Sequence, residues 1–207
     1  MARKPPTNPR KNALQARSRA TVDALVEATA RILVREGFEK TSTNRIAEVA
    51  GVSVGSLYQY FPSKEALVVA VIDRHNDEIM QVVRAAFVEV ADMPIEKAVR
   101  RLVTVAIEAH HIAPDLHRVL AEQIPRSGRL AEVEAFNHEV HGLVRTYLEN
   151  HRKEMRKIDP GLAAFICVSA IEAVAHNTVL NQAEMLTEKM VRTLVDETTR
   201  MVVGYLR

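Results

Sequence analysis

Between Thr43 and Lys64 the chain carries a run of short polar and aromatic side chains whose chemistry suits contact with a polyanion. Thr43, Asn44, Ser53, Val54, Gly55, Ser56, Tyr58, Gln59 and Tyr60 are interleaved with apolar Ile46, Val49, Val52 and Leu57 at helical spacing, and Lys64 follows them. Hydroxyl, amide and ammonium groups of this kind donate to phosphate oxygens, while small residues let a helix end approach base edges. Free N–H groups and the helix dipole add to the attraction at a helix N-terminus.

Two short helices must position this set. One fits residues 43–50, with Ser42 suited to cap it, and the other fits residues 54–60. Gly51 stands between them, where a tight turn requires a positive φ, and the small Ala47 lets the helices cross closely. Two short helices joined by a glycine turn form the helix-turn-helix layout. In that layout the second helix enters the major groove by its N-terminal end. Val54, Gly55 and Ser56 then lie nearest the bases, Tyr58 and Tyr60 flank the groove and reach phosphates, and Lys64 is placed for another phosphate. Leu57 and Phe61 read as core. Upstream, Val22, Leu25, Val26, Thr29, Ile32 and Leu33 mark one face of a helix over residues 18–36, which Gly37 is placed to end in a left-handed conformation. Downstream, Ser63 is expected to cap a long helix. Its inner stripe reads Leu67, Val68, Val71, Ile72, His75, Ile79, Val82, Val83 and Phe87.

The run Ile46-Ala47, Ala50-Gly51-Val52-Ser53, Gly55, Leu57-Tyr58, Tyr60-Phe61, Lys64-Glu65 and Leu67 resembles the DNA-binding domain of the tetracycline-repressor (TetR) family. The likeness covers roughly residues 17–75, and many positions agree in one register. It implies an all-α, Ω-shaped homodimer. An N-terminal three-helix helix-turn-helix domain binds double-stranded operator DNA, a larger C-terminal helical domain holds a small-molecule effector, and the last two helices pair across the two-fold axis. It carries DNA contact onto Thr43, Asn44, Val54, Gly55, Ser56, Tyr58, Tyr60 and Lys64; Gln59 falls where the family varies. Repression is the mode it implies.

Charge agrees with a DNA-facing head. Residues 1–64 hold 11 Lys and Arg against 5 Asp and Glu, whereas residues 65–207 hold 17 against 21. Such asymmetry is expected where one end meets a polyanion. Residues 1–16, with Pro5, Pro6 and Pro9 among Arg3, Lys4, Arg10 and Lys11, read as a basic arm, either solvated or tracking phosphates. No apolar signal region is seen there, and the apolar stretch Leu162 to Val174 reads as too short to span a bilayer. A single cysteine, Cys167, in an apolar stretch reads as a buried, inert thiol. No membrane partner and a cytoplasmic location are the resulting expectations.

The expected organisation is an arm over 1–16, a DNA-binding domain over 17–63, and a ligand-binding and dimerisation domain over 64–207. In the last, helices are expected over 95–112, 115–124, 129–156, 160–183 and 187–206, giving about nine in all with no strand. The apolar residues 163–174 and the stripe Met190, Leu194, Val195, Thr198, Met201, Val202 and Tyr205 are assigned to the subunit interface. Histidines invite a metal reading. Glu134, His138 and His141 share a helical face, and Glu108 with His111 forms a Glu-x-x-His pair. A di-metal bundle enzyme needs a second such pair, which the chain lacks, so neither a cofactor nor an enzyme is expected. His110, His111 and His176 remain as candidate effector contacts. The alternatives are a DNA-binding protein of the same fold without an effector and, more remotely, a helical-bundle metalloenzyme.

Overall fold

A computed structural model describes residues 16–110, 112–122, 130–182 and 187–207; the basic arm expected over residues 1–16 lies outside them except for Ala16, which begins the first helix. The described residues form nine α-helices and no strand: α1 (Ala16–Glu36), α2 (Thr43–Ala50), α3 (Val54–Tyr60), α4 (Lys64–Val90), α5 (Ile95–Ala109), α6 (Pro114–Glu122), α7 (Leu130–Asn150), α8 (Pro160–Gln182) and α9 (Glu188–Leu206). They divide into two compact units, and the chain passes between them within α4, at the start of α6 and near the start of α7.

The first unit is built by local signals. Gly37 ends α1 with φ 80°, and its amide donates to the Leu33 carbonyl. The Ser42 Oγ accepts from the Arg45 amide at 3.3 Å and starts α2. Gly51 closes α2 in the left-handed region at φ 68°. The Ser53 Oγ accepts from the Ser56 amide at 3.0 Å and starts α3, and Ser63 accepts from the Ala66 amide. Leu25, Leu33, Ile46, Ala47, Leu57, Phe61, Leu67 and Val71 form its fully buried centre.

This unit is larger than the span 17–63. The first turns of α4 supply Ala66, Leu67, Val68, Val71 and Ile72 to the core, and α6 adds Val119 and Leu120. The described residues up to Asn76, together with those between Asp115 and Glu132, therefore form one body. Short helices such as α2 and α3 bury too little surface on their own, and the longer neighbours complete the core.

In the second unit α9 packs on α5 and α8, and α8 also packs on α5. Val99, Val103, Ile107, Leu148, Ala163, Ala164, Cys167, Val195, Val202 and Leu206 lie at its centre. Burial pushes the Cys167 thiol up to about 11, which keeps it protonated and inert as expected. The start of α5 follows Pro94, which has no side chain to cap it, and the Glu154 carboxylate accepts from the Ile95 amide at 3.0 Å instead. Nearby, the Tyr147 hydroxyl donates to the Met93 carbonyl at 2.6 Å, and burial with the adjacent Glu154 charge raises its phenol to about 12.

Four expectations change. The helix expected over 129–156 stops at Asn150 and is followed by a 3-10 turn, Arg152–Glu154, after which Arg156 caps the end of α9: its amide donates to Leu206 O and its Nε to Tyr205 O. Val82 is exposed, and Met80, Ala86 and Val90 take the buried positions on α4. The interface stripe on α9 is largely used within the subunit, since Val195, Thr198 and Val202 are buried. The apolar stretch is also longer than read. Pro160–Thr178, at mean hydropathy 1.3, has the length and composition to cross a membrane, although Ala163, Ala164, Cys167 and Ala175 pack into the core of this unit.

Candidate nucleic-acid interface and histidine site

Helices α2 and α3 present a largely polar surface, on which Val54 is exposed, because the other apolar residues of the pair are buried or partly buried. Ile46 and Ala47 are buried on α2, and Leu57 and Tyr60 on α3. Asn44, Ser53, Val54, Gly55, Tyr58 and Gln59 are exposed, while Thr43, Ser56 and Lys64 are partly exposed. Thr43 and Tyr58, fifteen residues apart, meet across the helix pair with Oγ1 and the phenol oxygen 3.1 Å apart. Each hydroxyl has one proton and two lone pairs, so this bond orients the pair and leaves hydrogen-bonding capacity facing outward.

At the N-terminal end of α3, the Ser53 and Ser56 hydroxyls lie 2.8 Å apart, and Val54 and Gly55 sit between them in sequence on the exposed side. A Cβ added to Gly55 would meet only the Ser53 Oγ, at 3.9 Å. Folding therefore does not demand glycine at this position, and the open surface over it accommodates a closely approaching partner.

Two of the predicted contacts have internal roles. Tyr60 is 8% exposed and its hydroxyl donates to the Ser18 Oγ at 3.2 Å, tying α3 to α1. Lys64 donates to the Phe38 carbonyl at 3.1 Å, with its ammonium 4.2 Å from the Phe38 ring centroid. An ammonium has three donors, so Lys64 keeps capacity for an anion. Arg45, by contrast, is engaged by acids: it pairs with Glu48 at 2.9 Å and with Glu36 at 3.4 Å, and hydrogen bonds to the two carboxylates raise its pKa. Ser18 escaped the sequence reading because its partner Tyr60 is 42 residues away and no periodicity links them.

A second cluster lies in the other unit. His110 caps the C-terminus of α5, and its Nδ1 lies 2.7 Å from the Ala106 carbonyl. Its Nε2 faces the Glu172 carboxylate at 3.5 Å. The His176 ring, one turn further along α8, stands edge-on at 6.2 Å between centroids. Burial opposes the charged imidazolium of His110, but the Glu172 carboxylate and the Ala106 carbonyl outweigh it, so its pKa is raised. The structure thus brings His110 and His176 together and adds Glu172, which the sequence reading missed; its spacing of one helical turn from His176 was the available signal. His111 lies outside the described residues. His138 is exposed, and the neighbouring His141 stacks on Phe165.

Comparison with known proteins adds an independent line. Residues 25–71 match the family described as "Bacterial regulatory proteins, tetR family", and residues 94–206 match "Tetracyclin repressor-like, C-terminal domain". The regulator RutR of Escherichia coli is 41% identical over 66 residues, 32% of this chain and 29% of that protein. The repressor KstR of Mycolicibacterium smegmatis is 40% identical over 55 residues, 27% of each chain. The nucleoid occlusion factor SlmA of Haemophilus ducreyi is 31% identical over 85 residues, 41% of each chain. These matches span well under half of the relatives' lengths. Among solved structures, the fatty acid degradation regulator FadR from Bacillus halodurans superposes with a TM-score of 0.70 at 19% identity, covering 90% of this chain and 96% of that one. A TetR-family regulator from Mesorhizobium loti gives 0.73 at 16% identity, covering 92% and 98%. At these identities the likeness establishes the fold.

Proposed function

This chain belongs to the tetracycline-repressor (TetR) family of bacterial regulatory proteins, and from that premise we propose that it is a homodimeric transcriptional repressor released from its operator by a small ligand. The observation that carries the DNA-binding part is the exposed end of α3, where Val54 and Gly55 stand beside the Thr43–Tyr58 hydroxyl pair. Thr43, Asn44, Tyr58 and Lys64 hold phosphates in this reading, Val54, Gly55 and Ser56 approach base edges, and Ser53 and Gln59 border them. Tyr60 serves chiefly to hold α3 on α1.

Tyr58→Phe removes one hydroxyl from an exposed ring. A lost hydrogen bond of about 1 kcal/mol corresponds to roughly five- to tenfold weaker operator binding per half-site. The loss is uniform across operator variants because phosphate contacts carry no sequence information. Unchanged affinity in a gel-shift titration at fixed salt would remove Tyr58 from the interface. Gly55→Ala sharpens the test. With space for the Cβ, the variant is expected to unfold no earlier than the parent, and helix propensity favours alanine by up to ~1 kcal/mol. Its operator affinity is nevertheless expected to fall, since the methyl group occupies the surface that meets DNA. Urea melts and gel shifts on the same preparation separate the two effects.

Dimerisation places two recognition helices on successive major grooves, about 34–36 Å apart. The apolar residues left uncovered on α8, Leu162, Phe165 and Ile166, share one face and support pairing through α8 and α9, to which Met201 contributes. A ligand that binds better to a conformation with a different spacing between the recognition helices shifts the population off DNA. His110 and His176 are read as facing that ligand. We read the chain as non-enzymatic and cytoplasmic, in keeping with its family. A second reading, DNA binding without an effector, is favoured by the match to a nucleoid occlusion factor over 41% of the chain. A thermal-shift screen decides between them, because a bound effector raises apparent stability by mass action.

A further inference from the structure

We propose that His110, Glu172 and His176 form a binding site for a divalent transition-metal ion of the zinc class. Three features of the geometry carry the proposal. First, the Nδ1–H of His110 is committed to the Ala106 carbonyl at 2.7 Å. In the neutral ring this fixes the tautomer with the Nε2 lone pair directed at Glu172, the same outer hydrogen bond that orients histidine ligands in metal sites. Second, Nε2 and the Glu172 Oε1 stand 3.5 Å apart. A charge-assisted N–H···O bond is ordinarily about 2.7–2.9 Å, so this gap is long for an ion pair. Two ligands held tetrahedrally at about 2.0–2.1 Å from zinc are about 3.3 Å apart, which the gap matches. Third, a ligating nitrogen of His176 lies within 4.8 Å of one on His110, a distance that small side-chain rotations shorten to a coordination edge.

The donor set also fits. Imidazole suits zinc, copper, iron and nickel, and two imidazoles with one carboxylate leave an open fourth position for water or an incoming ligand. Glu172 and His176 project from one face of α8, one turn apart. The Glu172 side chain is 47% exposed, which gives the ion a path from solvent, whereas His110 is buried. An ion here would tie the C-terminus of α5 to the middle of α8 and so order the unit in which the effector is read to bind.

The proposal takes from the preceding reading only that these histidines face the ligand. Metal binding is measured without DNA, so either can fail alone. Metal-stripped full-length protein is titrated with Co(II), followed by its ligand-field absorption, and then with Zn(II) in competition. One Co(II) per chain is expected, displaced by Zn(II), together with a Zn(II)-dependent rise in melting temperature. His176→Ala and Glu172→Gln, both at positions that are not fully buried, are expected to weaken Co(II) by more than the ~10–100-fold that loss of a supporting partner costs, and to abolish the thermal shift. His138→Ala, on an exposed position of α7, should bind as the parent does. Circular dichroism verifies that each variant folds. Absence of stoichiometric binding, or a Co(II) affinity in either His176→Ala or Glu172→Gln equal to the parent's, overturns the proposal.

Discussion

Phe165→Glu is expected to convert the protein to a monomer and to cut operator affinity by ~10²–10⁴-fold. The aromatic ring is 58% exposed on α8, beside exposed Leu162 and Ile166 on the same face. A large apolar side chain gains about 1.5–3 kcal/mol on full burial, so three neighbours on each protomer supply the core of a two-fold contact. A carboxylate at 165 instead brings like charges together near the axis and must be desolvated for the dimer to form. The two recognition helices then bind DNA independently, and the effective-concentration advantage of a tethered pair, ~10²–10⁴-fold, is lost. The fold itself should be unaffected, because Phe165 lies largely in solvent and its described ring contact is a 5.9 Å stacking with His141. Sedimentation velocity gives the mass, and thermal melts monitor the fold. A dimer that persists with undiminished operator affinity would place the subunit contact elsewhere.

What the sequence made legible follows from the range over which each signal acts. The limits of α2 and α3 were readable to the residue because they are set within three or four positions by Ser42, Gly51 and Ser53. The α1 stripe was readable for the same reason: a 3.6-residue period is a local property. Periodicity reports that a face is buried and not what buries it. The α9 stripe was therefore found as a face, but part of it, Val195, Thr198 and Val202, is buried within its own unit, while Met201 stays exposed. The inclusion of Val119 and Leu120 in the head, the cap that Glu154 supplies to Ile95, and the approach of Glu172 to His110 all join residues far apart in the chain. In the candidate interface, residue types identified the surface, but the packing decided which hydroxyl stayed outside. Tyr58 and Tyr60 look equivalent in sequence, and one is 41% exposed while the other is buried against α1.

The contrast between core and surface on α3 leads to the second large effect. Leu57→Ala is expected to destabilise the first unit by about 2–5 kcal/mol. Leu57 is fully buried in the cluster that contains Leu25, Ile46, Phe61 and Leu67. Its helix has only seven residues, of which Leu57 and Tyr60 are the buried ones, so few other contacts hold α3 in place. Truncation removes transfer energy and leaves a cavity against neighbours drawn from α1, α2 and α4, which cannot collapse together without breaking their own contacts. Leu57→Met, which keeps the volume, should cost less than about 1.5 kcal/mol. Urea denaturation read by circular dichroism, with the melting temperature in parallel, measures both. Equal midpoints for Leu57→Ala and the parent would show that α3 is not anchored by this side chain. Operator binding provides the complementary readout. Tyr58→Phe should lose affinity at unchanged stability, whereas Leu57→Ala should lose affinity only as its head unfolds and recover it on cooling toward the temperature of maximum stability. That opposition separates a residue that meets DNA from one that holds the helix in position to do so.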